Sequence, residues 1–327
     1  MTADLPAGWT TRRPTLDDVP AILAVVHASD IAAVGEPDFT TEEILEILQA
    51  PNHDMTRDSW VVLDARPAIV GWGYITNPGS MTRENIDAYV HPEHGTPAQA
   101  HLLDLLVARV GERAGESGRD QLTVRAGVIA SETHYVGLLR AAGFDFVKRY
   151  ARMRGPLSGS EQPPELAEGV TIRPVDPTDD QEMRTFHRVL NTAFMDTPDH
   201  QPFDYDNFRE RLEALPVIAW DEWFIAEVDG VPAGILQSAE QMAEANEAWV
   251  KNLAVAKEFR GRGLGRLLLQ TAFATYAAKG CTAVGLGVDM TNPTGAYKLY
   301  ESVGLTPFYE ADVYERTVAR AEARARN

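Results

Sequence analysis

The chain has 327 residues, which is long for one compact core, so we expect two domains. A single cysteine, Cys281, excludes a disulfide framework and a cysteine-rich zinc site. The formal net charge of −18 disfavours nucleic acid and anionic membranes as partners, and no apolar run is long enough for a membrane span or a signal peptide. We therefore expect a cytoplasmic protein without nucleic-acid or membrane partners.

The predicted elements occur twice in the same order, about 160 residues apart. Each half begins with a short strand, near Trp9 or Val170, followed by an acidic helix cap and an amphipathic helix. A pair of strands follows, from Asp58 in the first half and from Asp221 in the second. The second pair is joined by Asp229-Gly230, which is typical of a two-residue hairpin turn.

The remainder of each half is repeated as well. In each half this sequence predicts an amphipathic helix, a strand and a closing helix. The amphipathic helices start at His101 and Arg266, and the strands start at Leu122 and Ala283. The closing segments end at Phe144 and Leu305. We predict a duplicated α+β unit with mostly antiparallel strands. The predicted domains are residues 1–154 and 170–327, joined by a linker, 155–169, rich in small, proline and acidic residues.

Only the second half contains the segment KEFRGRGLGRLL, residues 257–268, between a predicted central strand and a helix. Its glycines, Gly261, Gly263 and Gly265, would let a diphosphate approach the amides of a helix N-terminus, and Arg260 and Arg262 add positive charge. The spacing matches neither a Walker loop nor the G-x-G-x-x-G dinucleotide loop. Taken alone, the segment is also compatible with a tight helix entry.

A second motif, NPTGAYKLYESVGL from Asn292, follows at a defined distance. Together, Arg260-x-x-Gly263-x-Gly265 and this motif resemble the acetyl-CoA loop and the closing motif of the GNAT superfamily of N-acetyltransferases. The resemblance covers residues 170–314 well and residues 9–154 in outline. It implies two tandem GNAT-like domains, each a mixed, mostly antiparallel sheet flanked by helices.

The resemblance also implies a role for each matching residue, with acetyl-CoA as cosubstrate and no metal. The backbone of Leu253, Ala254 and Val255 would pair with the pantetheine arm, and Asn292 would hydrogen-bond near it. Tyr300 would protonate the departing thiolate. The pyrophosphate would be held by the loop residues Arg260, Gly261, Arg262, Gly263, Leu264 and Gly265.

The base that deprotonates the amine is less clearly marked. Family members often carry a glutamate where this chain has Trp249. Glu247 lies two residues earlier on the same strand face, so it is the first candidate. Asp289 and a water path are the alternatives.

The segment between the first helix and the hairpin of the second half is predicted to cover the acceptor. Its acidic residues could attract an ammonium group and its aromatic residues could wall the site. An ordinary capped loop is the alternative interpretation. The residues are Asp196, Asp199, Asp204 and Asp206, with Phe203, Tyr205 and Phe208.

The first half lacks these features. At the place of the glycine loop it has one glycine, Gly95, a proline, Pro97, and no arginine pair, and Leu139 stands where the tyrosine would fall. We expect this half to have lost catalysis, with weak coenzyme binding left open. Its nearby His91, Glu93, His94 and His101 match no zinc signature and are interpreted as loop residues.

These observations predict an N-acyltransferase that moves an acetyl group from acetyl-CoA to a primary amine of a small molecule by direct attack in a ternary complex. The tandem layout is similar to that of the mycothiol synthases of the superfamily, so an aminoglycoside-type sugar amine is an alternative acceptor. A non-catalytic acyl-CoA-binding module and a nucleotide-binding enzyme are further alternatives. The chain is expected to be a monomer or a homodimer.

Overall fold

The computed structural model describes residues 3–37, 39–50, 52–77, 83–195, 202–213, 217–239, 246–291 and 295–321. Contacts divide the chain into an N-terminal unit, Met1–Arg149 with Tyr309–Asn327, and a C-terminal unit, Tyr150–Phe308. This division by contacts differs from the predicted boundaries 1–154, 155–169 and 170–327, which stay predictions. No described helix combines the length and the apolar character that crossing a membrane requires.

The chain forms both helices and strands. The helices are α1 (Val19–Val34), α2 (Thr41–Leu48), α3 (Met55–Asp58), α4 (Pro97–Glu116), α5 (Thr133–Ala141), α6 (Asp180–Phe194), α7 (Tyr205–Glu213), α8 (Leu264–Ala278) and α9 (Ala296–Ser302). The strands are β1 (Thr10–Arg12), β2 (Ser59–Leu63), β3 (Ile69–Thr76), β4 (Arg83–Val90), β5 (Gln121–Ile129), β6 (Asp145–Pro156), β7 (Val170–Pro174), β8 (Phe224–Val228), β9 (Val231–Ala239), β10 (Glu247–Val255), β11 (Ala283–Asp289) and β12 (Thr306–Ala319).

In the N-terminal unit the strand order is β1-β2-β3-β4-β5-β12. Only β4 and β5 are parallel; the other described neighbours are antiparallel. The last strand comes from the far end of the chain, because residues 311–319 of β12 pair with β5. Residues 315–319, which begin the polar C-terminal segment, pair with residues 121–125 of β5 and are held in this ladder.

The C-terminal unit repeats this plan in the order β6-β11-β10-β9-β8-β7, with β10 and β11 parallel and the rest antiparallel. Its strand beside β11 is supplied by residues 150–156 of β6. Each unit therefore takes one sheet strand from the other half of the sequence. The predicted fold class, a mixed and mostly antiparallel sheet flanked by helices, is confirmed in both units.

Helices cover both faces of the C-terminal sheet. On one face α8 and α9 contribute Leu268, Tyr276 and Tyr300 to a core. On the other, α6 and α7 contribute Phe186 and Phe208. The apolar positions of α6 recur at helical spacing, which is why this polar helix can bury one stripe.

The predicted hairpin turn joins β8 and β9. Asp229 has a φ of 50° and Gly230 a φ of 76°, so both central residues are left-handed. That conformation matches the twist of a two-residue hairpin and explains why an Asp-Gly pair stands there. The expected turn is confirmed.

Candidate functional site

Strands β10 and β11 are paired only at their N-terminal ends. Residues 247–250 pair with residues 283–286, and a register irregularity lies in β10 between Val250 and Asn252. Beyond Val250, no described residue of β10 has a register partner in β11, while residues 252–255 stay paired with β9. The strands therefore diverge, and residues 253–255 have one edge without a strand partner, which an extended ligand could use.

The glycine segment lies where β10 ends. A short 3-10 turn, Lys257–Phe259, leads into a loop in which Gly261 and Gly263 have φ values of 76° and 81°. Gly263 is the N-cap of α8, and no side chain caps the helix. A side chain at either glycine would be strained, because L-residues rarely adopt positive φ.

The loop leaves a run of amides without acceptors. Within the described part of the chain, the backbone N–H groups of residues 261–266 make no hydrogen bond; the next amide, that of Leu267, donates to the Gly263 carbonyl. Unpaired amides at a helix N-terminus carry partial positive charge and suit a phosphate group. Arg266 in this first turn adds positive charge where an acidic residue would otherwise be favoured.

Gly265 brings the two helices of this face together. A Cβ at Gly265 would lie 3.0 Å from Cδ2 of Leu299, on α9. The missing side chain thus lets α9, which carries Tyr300, pack against the first turn of α8. The loop motif and the closing motif meet because the glycine leaves room for Leu299.

The two loop arginines differ in their surroundings. Arg260 donates from Nε to the Val255 carbonyl at 3.1 Å and from Nη2 to the Ala193 carbonyl at 2.8 Å, so it ties the end of α6 to the end of β10. Arg262 is exposed, with its guanidinium 5.3 Å from the centre of the Phe259 ring. Of these two arginines, Arg262 is the one whose exposed charge is directed to solvent and could meet an anion.

Tyr300 is 8% exposed and lies on α9 in the core beneath the loop. Its hydroxyl has no hydrogen-bond partner among the described residues. Burial raises the pKa of Tyr300 to about 12. The phenol therefore stays protonated at neutral pH and can donate a proton or a hydrogen bond. Asn292, its predicted companion, lies outside the described residues.

Glu247 occupies the predicted strand face but is held by arginines. Its Oε1 accepts from Nη2 of Arg152 at 3.2 Å, and its Oε2 lies 2.9 Å from Nε of Arg154. The carboxyl group is buried over Gly285, where a Cβ would collide with Oε1. Arg152 and Arg154 come from β6, and Arg152 lies 95 positions before Glu247 in the chain. No local sequence signal therefore indicates this cluster.

Two further polar residues at the strand irregularity were not predicted from the sequence. Asn252 donates from Nδ2 to Oε1 of Gln237, on β9, at 2.5 Å. Gln237 is buried. A register shift changes which residues of a strand share a face, so the alternation of the sequence does not predict where these two side chains lie.

Asp289, the second candidate base, accepts hydrogen bonds from the amide and hydroxyl of Thr291 and so closes the turn after β11.

The predicted acceptor segment is partly described. Phe203, Tyr205 and Phe208 surround His187 of α6, with ring centres 5.2, 5.7 and 5.2 Å from its own. Asp204 accepts from the amide of Asn207, as a helix cap does. This supports the capped-segment interpretation for Asp204. Asp196 and Asp199 lie outside the described residues, and no contact distinguishes the two interpretations for Asp206.

The corresponding loop of the N-terminal unit is closed. Its amides are used internally, since Gly95 donates to His91, Ala98 to Gly95 and Gln99 to Thr96. A Cβ at Gly95 would collide with the carbonyl of Val70, so this glycine serves close packing rather than ligand access.

The histidines near this loop have other roles. The rings of His91 and His94 stack with centres 3.7 Å apart, and His101 bonds to Thr11 and Ala3. Among the described residues no group of three His, Cys, Asp or Glu side chains could hold a metal ion.

Comparisons with known proteins agree with this geometry. Residues 184–305 match the acetyltransferase (GNAT) family. A mycothiol acetyltransferase of Thermobispora bispora is 33% identical over 183 residues, which span 54% of this chain and 60% of that relative. A mycothiol acetyltransferase of Salinispora arenicola is 26% identical over 324 residues, covering 94% of this chain and 96% of the relative.

Solved structures extend the likeness to the whole fold. A GCN5-related N-acetyltransferase from Sphaerobacter thermophilus has a TM-score of 0.83 at 24% identity, with 98% of each chain covered. A tandem GNAT protein from the clavulanic acid biosynthesis pathway has a TM-score of 0.70 at 15% identity and covers 96% of this chain and 100% of its own. Residues 184–305 therefore match the GNAT acetyltransferase family, and the chain has the fold of these GNAT structures.

Proposed function

We propose that the C-terminal unit is an acetyl-CoA-dependent N-acetyltransferase, which moves an acetyl group to a primary amine of a small molecule by direct attack in a ternary complex. One observation carries the proposal: the unpaired amides of residues 261–266 lie next to the open edge of β10. The first suits a diphosphate and the second an extended amide-bearing arm, and CoA joins these two groups in one molecule.

The chain's own residues fit this ligand. The loop from Arg260 to Gly265 is proposed to hold the pyrophosphate through Gly261, Arg262, Gly263, Leu264 and Gly265, with Arg260 fixing the loop by its bonds to the Val255 and Ala193 carbonyls. Leu253, Ala254 and Val255 are proposed to hold the pantetheine arm, with Asn292 beside it. The paired amides around Gly95 support the complementary proposal that the N-terminal unit does not bind the coenzyme in this way. When bound, acetyl-CoA supplies an activated thioester; no metal is proposed.

Tyr300 is proposed to hold the proton that the departing thiolate receives. A general acid must keep its proton until the leaving group needs it, and burial of the phenol supports this. Because the side chain is fixed in the α9 core, the hydroxyl can be placed without much loss of side-chain freedom.

Glu247 is proposed as the base to test first, with Asp289 and a water path as alternatives. Proton uptake by Glu247 would weaken its interactions with Arg152 and Arg154, so direct abstraction has an electrostatic cost. Protonation of Asp289 would similarly weaken the hydrogen bond that its carboxylate accepts from the Thr291 hydroxyl and that closes its turn. These costs favour a route in which water carries the proton from the amine.

The acceptor can be proposed as a broad class of amines with one more specific candidate. Two relatives are named mycothiol acetyltransferase, which supports an aminoglycoside-type sugar amine as one candidate. Trp249 stands where the family often has a glutamate, so a different small-molecule amine is the broader proposal. Charge and composition support a cytoplasmic location, and we propose a monomer or a homodimer.

The test is release of free CoA thiol from acetyl-CoA over a panel of amines that includes glucosaminides, diamines and amino acids. The proposal expects amine-dependent release that Tyr300→Phe reduces. A non-catalytic acyl-CoA module would bind acetyl-CoA yet release no thiol with any amine. A nucleotide enzyme would bind ATP or NAD without competition from CoA, and that result would overturn the assignment of the loop.

A further inference from the structure

Helix α7 is a short element whose position depends on its neighbours. Of its described residues, Tyr205–Glu213, only Phe208 and Leu212 are buried. A helix of this length is marginal by itself in water, so tertiary contacts decide where it lies. Both buried side chains belong to a core that also contains Ala254, on the stretch of β10 with an open edge. The position of α7 therefore bears on the proposed acetyl-transfer site.

The start of α7 is fixed to α6 through one carbonyl oxygen. Nε2 of His187, on α6, lies 2.8 Å from the carbonyl oxygen of Phe203, two residues before α7 begins. Because a carbonyl oxygen only accepts, this hydrogen bond requires the proton on Nε2. Nδ2 of Asn191, one turn further along α6, donates to the same oxygen at 2.7 Å. The two donor nitrogens are 2.9 Å apart because they converge on this oxygen.

Aromatic side chains of the same segment surround the His187 ring. The rings of Phe203, Tyr205 and Phe208 have their centres 5.2, 5.7 and 5.2 Å from its own. These are ordinary distances for packed aromatic rings. Since Tyr205 and Phe208 lie on α7 itself, a shift of α7 along α6 would break the hydrogen bond and the ring contacts together.

The C-terminal end of α6 is tied to the glycine loop. Nη2 of Arg260 donates to the carbonyl of Ala193, near the end of α6, and its Nε donates to the carbonyl of Val255. One helix thus carries contacts to the proposed pyrophosphate loop and to the start of α7. These contacts hold α7 at a fixed place relative to the loop.

The N-terminal unit contains the same hydrogen bond beside a closed loop. Nε2 of His27, on α1, lies 2.7 Å from the carbonyl oxygen of Phe39, two residues before α2 begins. His27 and His187 are about 160 positions apart, as are the other repeated features of the two halves. The hydrogen bond is therefore part of the repeated plan, and the C-terminal unit has it next to a loop with open amides.

We propose that His187 is a positioning residue for the acceptor amine. Through the Phe203 carbonyl it fixes the start of α7, and α7 sets the place of the acceptor at the transfer site. The kinetic consequence rests on the proposed function. No bond to the amine or to the coenzyme is assigned to His187, so its loss weakens amine binding and leaves the coenzyme site and the chemical step nearly unchanged.

The first test is the steady-state kinetics of thiol release with the best amine of the panel. His187→Ala is expected to raise the KM for the amine about tenfold, as for a lost hydrogen bond and its packing. It should change kcat and the KM for acetyl-CoA by less than about twofold. His187→Gln, whose side-chain amide can donate to the same carbonyl, is expected to recover most of the loss.

His27→Ala is the matched control, because it removes the equivalent hydrogen bond from the other unit. It should leave both KM values unchanged. Thermal unfolding shows that each variant is folded. Asn191→Ala, which removes the other donor to the Phe203 carbonyl, should also raise the KM for the amine and replaces His187→Ala if that variant does not fold.

The second test needs no activity and measures hydrogen exchange of backbone amides in the full chain. His187→Ala should make the amides of α7 exchange about tenfold faster, because the helix opens more easily. Exchange in α8 should stay the same, and His27→Ala should leave α7 unaffected.

Three results would overturn the inference: α7 exchange that does not depend on His187, a KM for acetyl-CoA that rises as much as that for the amine, or equal effects of His27→Ala. If the wild type releases no thiol with any amine, the proposed function fails. In that case the exchange experiment alone decides whether His187 holds α7 in place.

Discussion

Arg152 of β6 hydrogen-bonds Glu247 of β10 at 3.2 Å in the sheet of the C-terminal unit. Both side chains are buried, at 5% and 2% exposure, so the pair is protected from solvent screening. The candidate base is therefore also a structural counterion. Its two roles can be separated experimentally.

Glu247→Gln should lower the free energy of unfolding by roughly 2–4 kcal/mol, because it leaves a buried guanidinium without its counterion. Urea denaturation measures this, and Glu258→Gln, exposed beside the loop, should change it by less than about 0.5 kcal/mol. If Glu247 is also the base, the acid limb of the pH–rate profile shifts in the variant. Lost stability with an unchanged acid limb would assign it the structural role alone.

Tyr300→Phe should lower kcat by about 100-fold and leave the KM for acetyl-CoA nearly unchanged, since it removes a proton donor but little volume. Tyr297→Phe, one turn earlier on α9, is the matched control. Because the pKa of Tyr300 is about 12, its proton stays in place below that pH. The wild-type rate should therefore not fall near pH 8 to 10 through ionisation of Tyr300. A fall in this range that is present in the wild type and absent in Tyr300→Phe would contradict the assignment.

Gly263→Ala should raise the KM for acetyl-CoA about tenfold, because a side chain at a φ of 81° strains the loop and turns its amides. Gly280→Ala is matched to it: Gly280 has a φ of 90°, also has open space around it, and follows the opposite end of α8. Both variants should lose about 1 kcal/mol of stability. Equal effects on KM would mean that the loop conformation has no special part in binding.

Arg262→Gln should weaken CoA binding several-fold at low salt and less at high salt, because its exposed charge is screened. Arg260→Gln should instead lower the melting temperature, since its guanidinium joins the carbonyls of Val255 and Ala193. Titration calorimetry at two salt concentrations and a thermal scan distinguish the two. A reversed pattern would show that Arg260 is the residue that faces the phosphate.

The contribution of Asp87 to the stability of the wild type should fall as the pH rises from about 4 to about 7. Asp87 has a pKa raised from the ordinary 3.8 to about 7 by burial, so its protonated form favours the folded state. That contribution is complete below pH 4, is lost through pH 7 and changes no further above it. Asp87→Asn should therefore gain roughly 1–3 kcal/mol relative to the wild type between pH 5 and pH 8. The exposed Asp120→Asn should show no such gain.

The order of elements was predictable because it rests on local patterns. The hairpin turn at Asp229-Gly230, the glycine loop before α8 and the helix that carries Tyr300 all follow from residues close in sequence. Their chemistry is local as well: a positive φ needs glycine, and a buried helix face needs apolar residues at helical spacing. The same reasoning correctly separated the loop at Gly263 from its closed counterpart at Gly95.

The sequence by itself thus predicted the repeated α+β plan, the glycine loop before α8 and the likeness to the GNAT family. Only the tertiary structure decided that β6 and β12 each complete the sheet of the other half, and that Arg152 and Arg154 hold Glu247. The reason is physical. Strand exchange and charge pairing join residues far apart in the chain, and their energies depend on burial and distance, which no local pattern encodes.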